Sequence, residues 1–192
     1  MENNFRKNLI TNNTYKTNER RESEKGMKCK SEMVVDNFTK LIKFVNDFNG
    51  FESMRELTAA IYLNKKLAKK FNYPDENFDF HSEKGGDNKE IEWDIVSLEL
   101  AELLTTKASV KITEQGKITL EQNPLEIDFS DFKNYLLQLE RKLWPAAALY
   151  LYTNNYYSTS TDDEKKNISQ SVLQKYGFTQ QDIICVESFL QK

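Results

Sequence analysis

The segment from residue 94 to residue 122 constrains the fold more than any other part of the sequence. Its first part, Asp94–Thr105, has apolar residues at helical spacing, and its second part, Ser109–Gln122, alternates apolar and polar residues around Gln115-Gly116. Alternation about a central glycine is typical of two strands joined by a tight turn, because glycine adopts the positive φ that such turns require. The segment therefore predicts a helix followed directly by a two-stranded hairpin.

The rest of the chain from Val34 onward predicts helices. Apolar residues recur at helical spacing up to Phe48, and the pair Asn49-Gly50 provides a stop. A second helix, ending near residue 71, opens at the capping-box sequence Ser53-Met-Arg-Glu56. Four later helices are expected to start near Ser130, Pro145, Thr161 and Thr179. The fold class that follows is mainly α with a small β-hairpin (α+β).

Composition divides the chain into three parts. Residues 1–32 are polar, with eight Lys/Arg against five Asp/Glu, and predict a disordered basic tail or linker, because they hold too few apolar groups to offset chain entropy. Residues 33–124 contain the first helices and the hairpin, and residues 125–192 predict a helical C-terminal domain. The 160 residues after the tail hold 19 basic and 25 acidic side chains, so the folded part is acidic.

Three helices followed by a hairpin over residues 36–122 resemble the winged-helix superfamily. The resemblance implies a winged-helix domain at 33–124, followed by a helical domain that would be a second winged helix. In this arrangement the chain resembles the tandem winged-helix C-terminal regions of the replication protein A middle subunit and of its relative in the telomere-capping (CST) complex. Those regions act as protein-docking modules. An α+β domain unrelated to this superfamily is the alternative.

The third helix is acidic where a DNA-reading helix needs cations. Between Lys89 and Lys107 there is no Lys or Arg, and a DNA reader needs cations near the phosphates that it approaches. We therefore expect this helix to bind a protein partner through residues such as Glu99 and Glu102, with direct nucleic-acid binding weak or absent. The acidic residues of this stretch are Glu90, Glu92, Asp94, Glu99 and Glu102.

Five lysines are the candidate nucleic-acid contacts. Four of them project from the second helix opposite its apolar stripe, and the fifth lies next to the predicted hairpin turn. A solvated helix face is the other interpretation, because lysine is mostly exposed in folded proteins. The candidates are Lys65, Lys66, Lys69, Lys70 and Lys117.

A cluster of Tyr and Trp residues runs through the C-terminal half, and four of its members are candidates for a protein interface: Trp144, Tyr152, Tyr156 and Tyr157. Tyrosine and tryptophan favour interfaces because each ring combines an apolar body with a polar atom. Packing in the core is one alternative, and stacking on single-stranded nucleic acid is another. The three interpretations differ in whether the rings are exposed and whether cations lie beside them.

Little in the sequence points to catalysis. His81 is the only histidine, Cys29 and Cys185 are far apart, and no Gly-rich phosphate loop is present. We expect no enzyme, no metal site, no cofactor and no membrane span, and a nuclear or cytoplasmic location. The function expected is a non-catalytic docking module of a DNA-maintenance assembly such as a telomere-capping or replication-protein-A-like complex. The alternatives are a small winged-helix DNA-binding transcription regulator, or an acidic inhibitor or immunity protein of a mobile element.

Overall fold

Helix α1 begins the part of the chain that the structure describes. The structure, a computed structural model, describes residues 38–71 and 89–192, so the predicted tail and His81 lie outside the described residues. Helix α1 covers residues 38–47 and ends where the sequence predicted, because Asn49 and Gly50 both adopt positive φ, of 58° and 87°. A Cβ atom on Gly50 would lie 2.8 Å from the carbonyl oxygen of Val110, so a larger residue does not fit this turn.

Helix α2, Met54–Leu67, opens with one of the two hydrogen bonds of the predicted capping box, and the Glu56 side chain bonds to the N–H of Glu52 instead of that of Ser53. The Oγ of Ser53 accepts a hydrogen bond from the backbone N–H of Glu56 (3.2 Å), and the Glu56 carboxylate accepts one from the N–H of Glu52 (2.6 Å). These bonds satisfy amide groups that an uncapped helix start would leave without partners. A 3₁₀ turn, Ala68–Phe71, extends the helix to the predicted end.

A small hairpin follows helix α3, Lys89–Leu100. Strands β1, Leu104–Thr105, and β2, Lys111–Ile112, pair antiparallel with Leu104 opposite Ile112. An isolated antiparallel bridge between Phe51 and Val110 joins the hairpin to the turn before α2. A mainly α fold with one small hairpin is therefore confirmed for the described residues.

The predicted position of the hairpin is wrong. Residues that were expected to form its turn and second strand form helix α4, Glu114–Gln122. The side chain of Thr113 caps this helix by accepting a hydrogen bond from the N–H of Gly116 at 3.1 Å. The chain reverses earlier instead, between Thr105 and Val110, so the Gln115-Gly116 pair lies in the first turn of a helix.

The C-terminal part contains four helices whose starts lie close to the predicted ones. Capping boxes at Thr161 and Thr179 open the last two, and Pro145 lies in the first turn of the helix that precedes them. Ser130 is the first residue of its helix rather than the cap, and its N–H donates to the Asp128 carboxylate at 2.9 Å. The helices are α5, Ser130–Leu136; α6, Trp144–Tyr156; α7, Asp162–Lys175; and α8, Gln180–Leu190.

The core is an aromatic cluster that joins both halves of the sequence. The Phe44 ring contacts that of Phe129 edge to face, with centroids 5.0 Å apart, and the Phe48 ring contacts that of Trp144 at 5.9 Å. Edge-to-face pairs add to the stabilisation from burial. The described residues, 38–71 and 89–192, belong to one compact unit.

Arg141, in the C-terminal half, forms hydrogen bonds and an ion pair with the ends of the first two helices. It lies in a 3₁₀ turn, Arg141–Leu143, and its guanidinium donates to the carbonyl oxygens of Phe48 and Gly50, both at 3.2 Å. It also pairs with the buried Glu56 carboxylate at 3.0 Å. One guanidinium therefore supplies hydrogen-bond donors to carbonyl groups at the end of α1 and a counter-charge to the carboxylate at the start of α2.

Candidate functional site

Helix α3 exposes a row of large apolar side chains on its outward face. Trp93 is 70% exposed, Val96 is 44% exposed and Leu100 is 81% exposed. At 100° per residue these three positions lie within about 60° of one another, so they form one stripe, which we call the apolar stripe. Ile95 and Leu98, on the opposite face, are buried against the core. The helix therefore has two apolar faces, of which the fold covers one.

Carboxylates flank the apolar stripe. By helical spacing, Asp94 lies on one side of it and Glu99 on the other. The Glu99 carboxylate accepts hydrogen bonds from the Oγ1 of Thr106 (2.7 Å) and from its backbone N–H (3.1 Å). Both bonds lower the pKa of the Glu99 carboxyl below its ordinary value, and the bond from the Thr106 hydroxyl has the larger effect. This predicted interface residue therefore stays ionised at neutral pH.

The second acidic residue predicted for the interface, Glu102, lies at the end of α3. It is exposed and has a φ of 61°, a left-handed conformation that L residues other than Asn and Asp rarely adopt. The chain turns there so that the N–H of Leu103 donates to the carbonyl of Leu98 at 2.8 Å. A glutamate therefore occupies a position whose backbone favours glycine, beside an exposed apolar face.

Two of the five candidate lysines contact different aromatic rings. The ammonium of Lys66 lies 5.6 Å from the ring centroid of Tyr62, whereas that of Lys70 lies 4.5 Å from the ring of Tyr135. Lys65 is half-buried, and the side chain of Lys69 is outside the described residues. The hairpin position predicted for Lys117 is wrong, because this residue lies on α4 and pairs with Glu114 at 3.0 Å.

The four candidate aromatic residues separate into core and surface. The prediction of Trp144 as an interface residue is wrong, because its side chain is fully buried and its Nε1–H donates to the carbonyls of Leu136 and Leu139. Tyr152 is half-buried, whereas Tyr156 and Tyr157 are exposed. A fully satisfied indole in the core leaves only the three tyrosines as candidates for contact with a partner.

The apolar stripe was not among the residues singled out from the sequence. Apolar residues at helical spacing were noted in this helix, but Trp93, Val96 and Leu100 were not recognised as a separate row. The signal that could have identified the apolar stripe is a helix with two apolar faces and acidic residues between them. Periodicity alone does not say which of two apolar faces the rest of the chain covers.

A shallow surface cleft lies at the start of α2. Its volume is about 190 Å³, and Arg55, Glu56, Arg141 and Lys142 are among the residues that line it. The buried Glu56 and the half-buried Arg141 are paired with each other and with backbone groups. These groups have a structural role, and we place no catalytic assignment on the cleft.

Comparison with known proteins gives no family model, no curated protein and no solved structure that matches this chain. Among residues 38–71 and 89–192, no group of three His, Cys, Asp or Glu side chains is arranged to hold a metal ion. Within the same residues, no helix is both long and apolar enough to cross a membrane.

Proposed function

We propose that this protein is a non-catalytic docking module that binds a protein partner through the outward face of α3. The observation that carries the proposal is the apolar stripe, in which Trp93 and Leu100 are both at least 70% exposed. Exposed apolar patches with a polar rim mark interaction sites, and tryptophan is among the residues most enriched where binding energy concentrates. A partner that covers the stripe removes this surface from water.

The charges beside the stripe favour a basic helical segment as its occupant. Asp94, Glu99 and Glu102 supply negative charge around the apolar face. An amphipathic helix with apolar residues at i, i+3 or i+4, and i+7, flanked by Lys or Arg, would complement both features. A second copy of this chain, related by a two-fold axis, would bring acidic flanks against acidic flanks, and like charges in contact oppose association.

We place this docking module in a DNA-maintenance assembly, with a nuclear or cytoplasmic location, on the strength of the winged-helix resemblance. Three helices followed by a hairpin are present over residues 38–112, although the hairpin lies at 104–112. The acidic, apolar surface of α3 supports binding of protein rather than of duplex DNA, since phosphate contacts require cations. The telomere-capping and replication-protein-A type of complex is the class that the resemblance implies.

A binding titration with two designed peptides tests the proposal. One peptide is a short amphipathic helix of leucine and lysine, and the other has the same leucines with glutamate in place of lysine. We expect the basic peptide to bind and the acidic one to bind at least tenfold more weakly, because only the basic one complements the flanks. The double variant Trp93→Ser/Leu100→Ser is expected to lose at least about 30-fold in affinity for the basic peptide, as loss of a binding hot spot does.

The variant Ile184→Ser is the matched control. Ile184 is also an exposed aliphatic residue, but it lies on α8. Its replacement should leave the affinity for the basic peptide unchanged. Equal affinities of the wild type and the Trp93/Leu100 variant would reject α3 as the docking surface.

A further inference from the structure

The ends of helices α2 and α6 bring a lysine beside a group of tyrosines. The group, which we call the tyrosine cluster, consists of Tyr152, Tyr156 and Tyr157 at the end of α6. Within it, the Tyr152 and Tyr156 rings are 6.2 Å apart and tilted by 33°, and the Tyr156 and Tyr157 rings are 5.0 Å apart and nearly perpendicular. Because Tyr156 is 69% exposed, its ring is available for a ligand.

Tyr62 of α2 links the tyrosine cluster to a cation. Its side chain hydrogen-bonds to that of Asn155 and interacts with Tyr152, and its burial raises the pKa of its hydroxyl above the ordinary value. The ammonium of Lys66, one turn further along α2, lies 5.6 Å from the centre of the Tyr62 ring. The Tyr62 side chain therefore contacts both the Lys66 ammonium and Asn155, the residue before Tyr156, although Tyr62 and Asn155 are far apart in sequence.

The surface around the rings is polar. Residues 155–159, Asn-Tyr-Tyr-Ser-Thr, are all exposed and include no aliphatic side chain. Acidic residues begin at 162, but Asp162 pairs with Lys165 at 3.3 Å and Glu164 is held by the N–H of Thr161 at 2.8 Å. Asp163 is exposed. Flat ring faces, hydroxyl and amide groups and a nearby ammonium are thus presented together.

We propose that the tyrosine cluster and Lys66 form a binding surface for single-stranded nucleic acid. Unpaired bases stack on aromatic rings, and a nearby cation contacts the backbone, so rings with an adjacent lysine match a single strand. A duplex hides the faces of its bases and gains little from exposed rings. Residues 155–159 thus present ring faces and polar groups without aliphatic side chains. This inference uses residues other than those of the apolar stripe and is independent of the docking function.

Fluorescence anisotropy with three labelled probes tests this surface: oligothymidine, oligouridine and a duplex, each about ten nucleotides long, which is within the site size of one binding module. We expect both single strands to bind with micromolar Kd values that rise with salt, and the duplex to bind at least fivefold more weakly. A preference between the two strands identifies whether DNA or RNA is the better ligand. Binding of the duplex as tightly as the strands would overturn the proposal.

Matched variants separate stacking from charge. Tyr156→Ala is expected to weaken binding at least about fivefold, the lower end for one stacked base, whereas Tyr156→Phe keeps the ring and stays within twofold of the wild type. Lys66→Gln should weaken binding and reduce its salt dependence, and Asp163→Asn should strengthen it. The control is Lys175→Gln, which removes an exposed lysine at the far end of α7, about 20 Å along this helix from Asp162.

Tyr156 and Lys66 are exposed, so these substitutions leave the core intact, and thermal denaturation of each variant checks this. Absence of binding at about 100 µM protein, far above the micromolar range expected for such surfaces, contradicts the proposal. Equal effects of Lys66→Gln and Lys175→Gln contradict it as well, because the affinity would then depend on net charge alone.

Discussion

Replacement of Arg141 by alanine should destabilise the protein more than replacement of any neighbouring surface cation. Arg141 donates hydrogen bonds to the carbonyls of Phe48 and Gly50 and pairs with Glu56, whose side chain is 6% exposed. Its removal leaves a buried carboxylate without its cation and two carbonyls at the end of α1 without donors. The three groups lie at the junction between the first two helices and the C-terminal half.

The magnitude follows from the burial of the pair. Loss of one partner from a fully buried ion pair costs about 3–5 kcal/mol. The Arg141 side chain is 30% exposed, and the N–H of Glu52 still donates to Glu56, so both facts reduce the cost. We expect a loss of about 2–4 kcal/mol in the free energy of unfolding, which corresponds to roughly 4–16 °C in Tm for a unit of this size.

Urea denaturation followed by far-UV circular dichroism measures this loss. The control is Lys142→Ala, because Lys142 is the adjacent residue and pairs only at the exposed surface, with Glu140. The control should leave the midpoint unchanged. The double variant Arg141→Met/Glu56→Gln should recover part of the loss, since it removes both charges together. If Arg141→Ala and Lys142→Ala gave the same midpoint, the structural role of Arg141 would be refuted.

Three further variants test other parts of the structure. Gly116→Ala should lower the free energy of unfolding by about 1–3 kcal/mol, because the added Cβ would press against the carbonyl of Leu103 and lie 2.7 Å from a side-chain carbon of Ile112. An unchanged urea midpoint would contradict the packing of α4 on the hairpin. Glu102→Gly should raise stability by about 1 kcal/mol by relieving the positive φ, and should weaken binding of the basic peptide; a loss of stability would contradict the backbone assignment. Hydrogen bonds with Thr161 and Thr179 lower the pKa values of Glu164 and Asp182 below their ordinary values of 4.5 and 3.8. The stability that these two carboxylates provide is therefore fully present above the ordinary pKa values, and it is lost as the pH falls through the lower pKa values of the folded state. A plot of Tm against pH should therefore fall less steeply in acid for Glu164→Gln/Asp182→Asn than for the wild type, and parallel curves would contradict it.

Several helix ends were predictable because their signals are local, whereas both ends of α3 were wrong, since the helix covers Lys89–Leu100 instead of Asp94–Thr105. The stop at Asn49-Gly50 depends on backbone conformation, and the starts at Ser53, Thr161 and Thr179 depend on hydrogen bonds within four residues. Such interactions form between chain neighbours whatever the rest of the fold does. The sequence therefore carries them in a form that can be interpreted without knowledge of tertiary packing.

The position of the hairpin was not predictable in the same way. The alternation of Ile118 and Leu120 fits a strand, but Thr113 caps a helix there and Gly116 allows close packing on Leu103. Helix and strand thus compete for one segment, and tertiary contact decides between them. The Phe51–Val110 bridge, which joins distant residues, contributes to that decision.

The candidate site was only partly predictable for a related reason. The acidic character of α3 is evident from composition, and it indicated this helix as a surface to be tested. Which of its two apolar faces is covered depends on how the other helices pack, and this placed Trp93 outside and Ile95 inside. The proximity of Lys66 to the tyrosine cluster likewise depends on the packing of α2 and α6.

Acrylamide quenching of tryptophan fluorescence tests the docking claim most directly, because the chain has two tryptophans in opposite environments. Trp93 is 70% exposed and should be quenched readily, whereas the buried Trp144 should not. Saturation with the basic amphipathic peptide is expected to shift emission to the blue and to protect the quenchable component. The Trp93→Phe variant, which lacks that component, should show neither change. If the peptide binds and the quenching of Trp93 remains the same, the apolar stripe is not the docking surface.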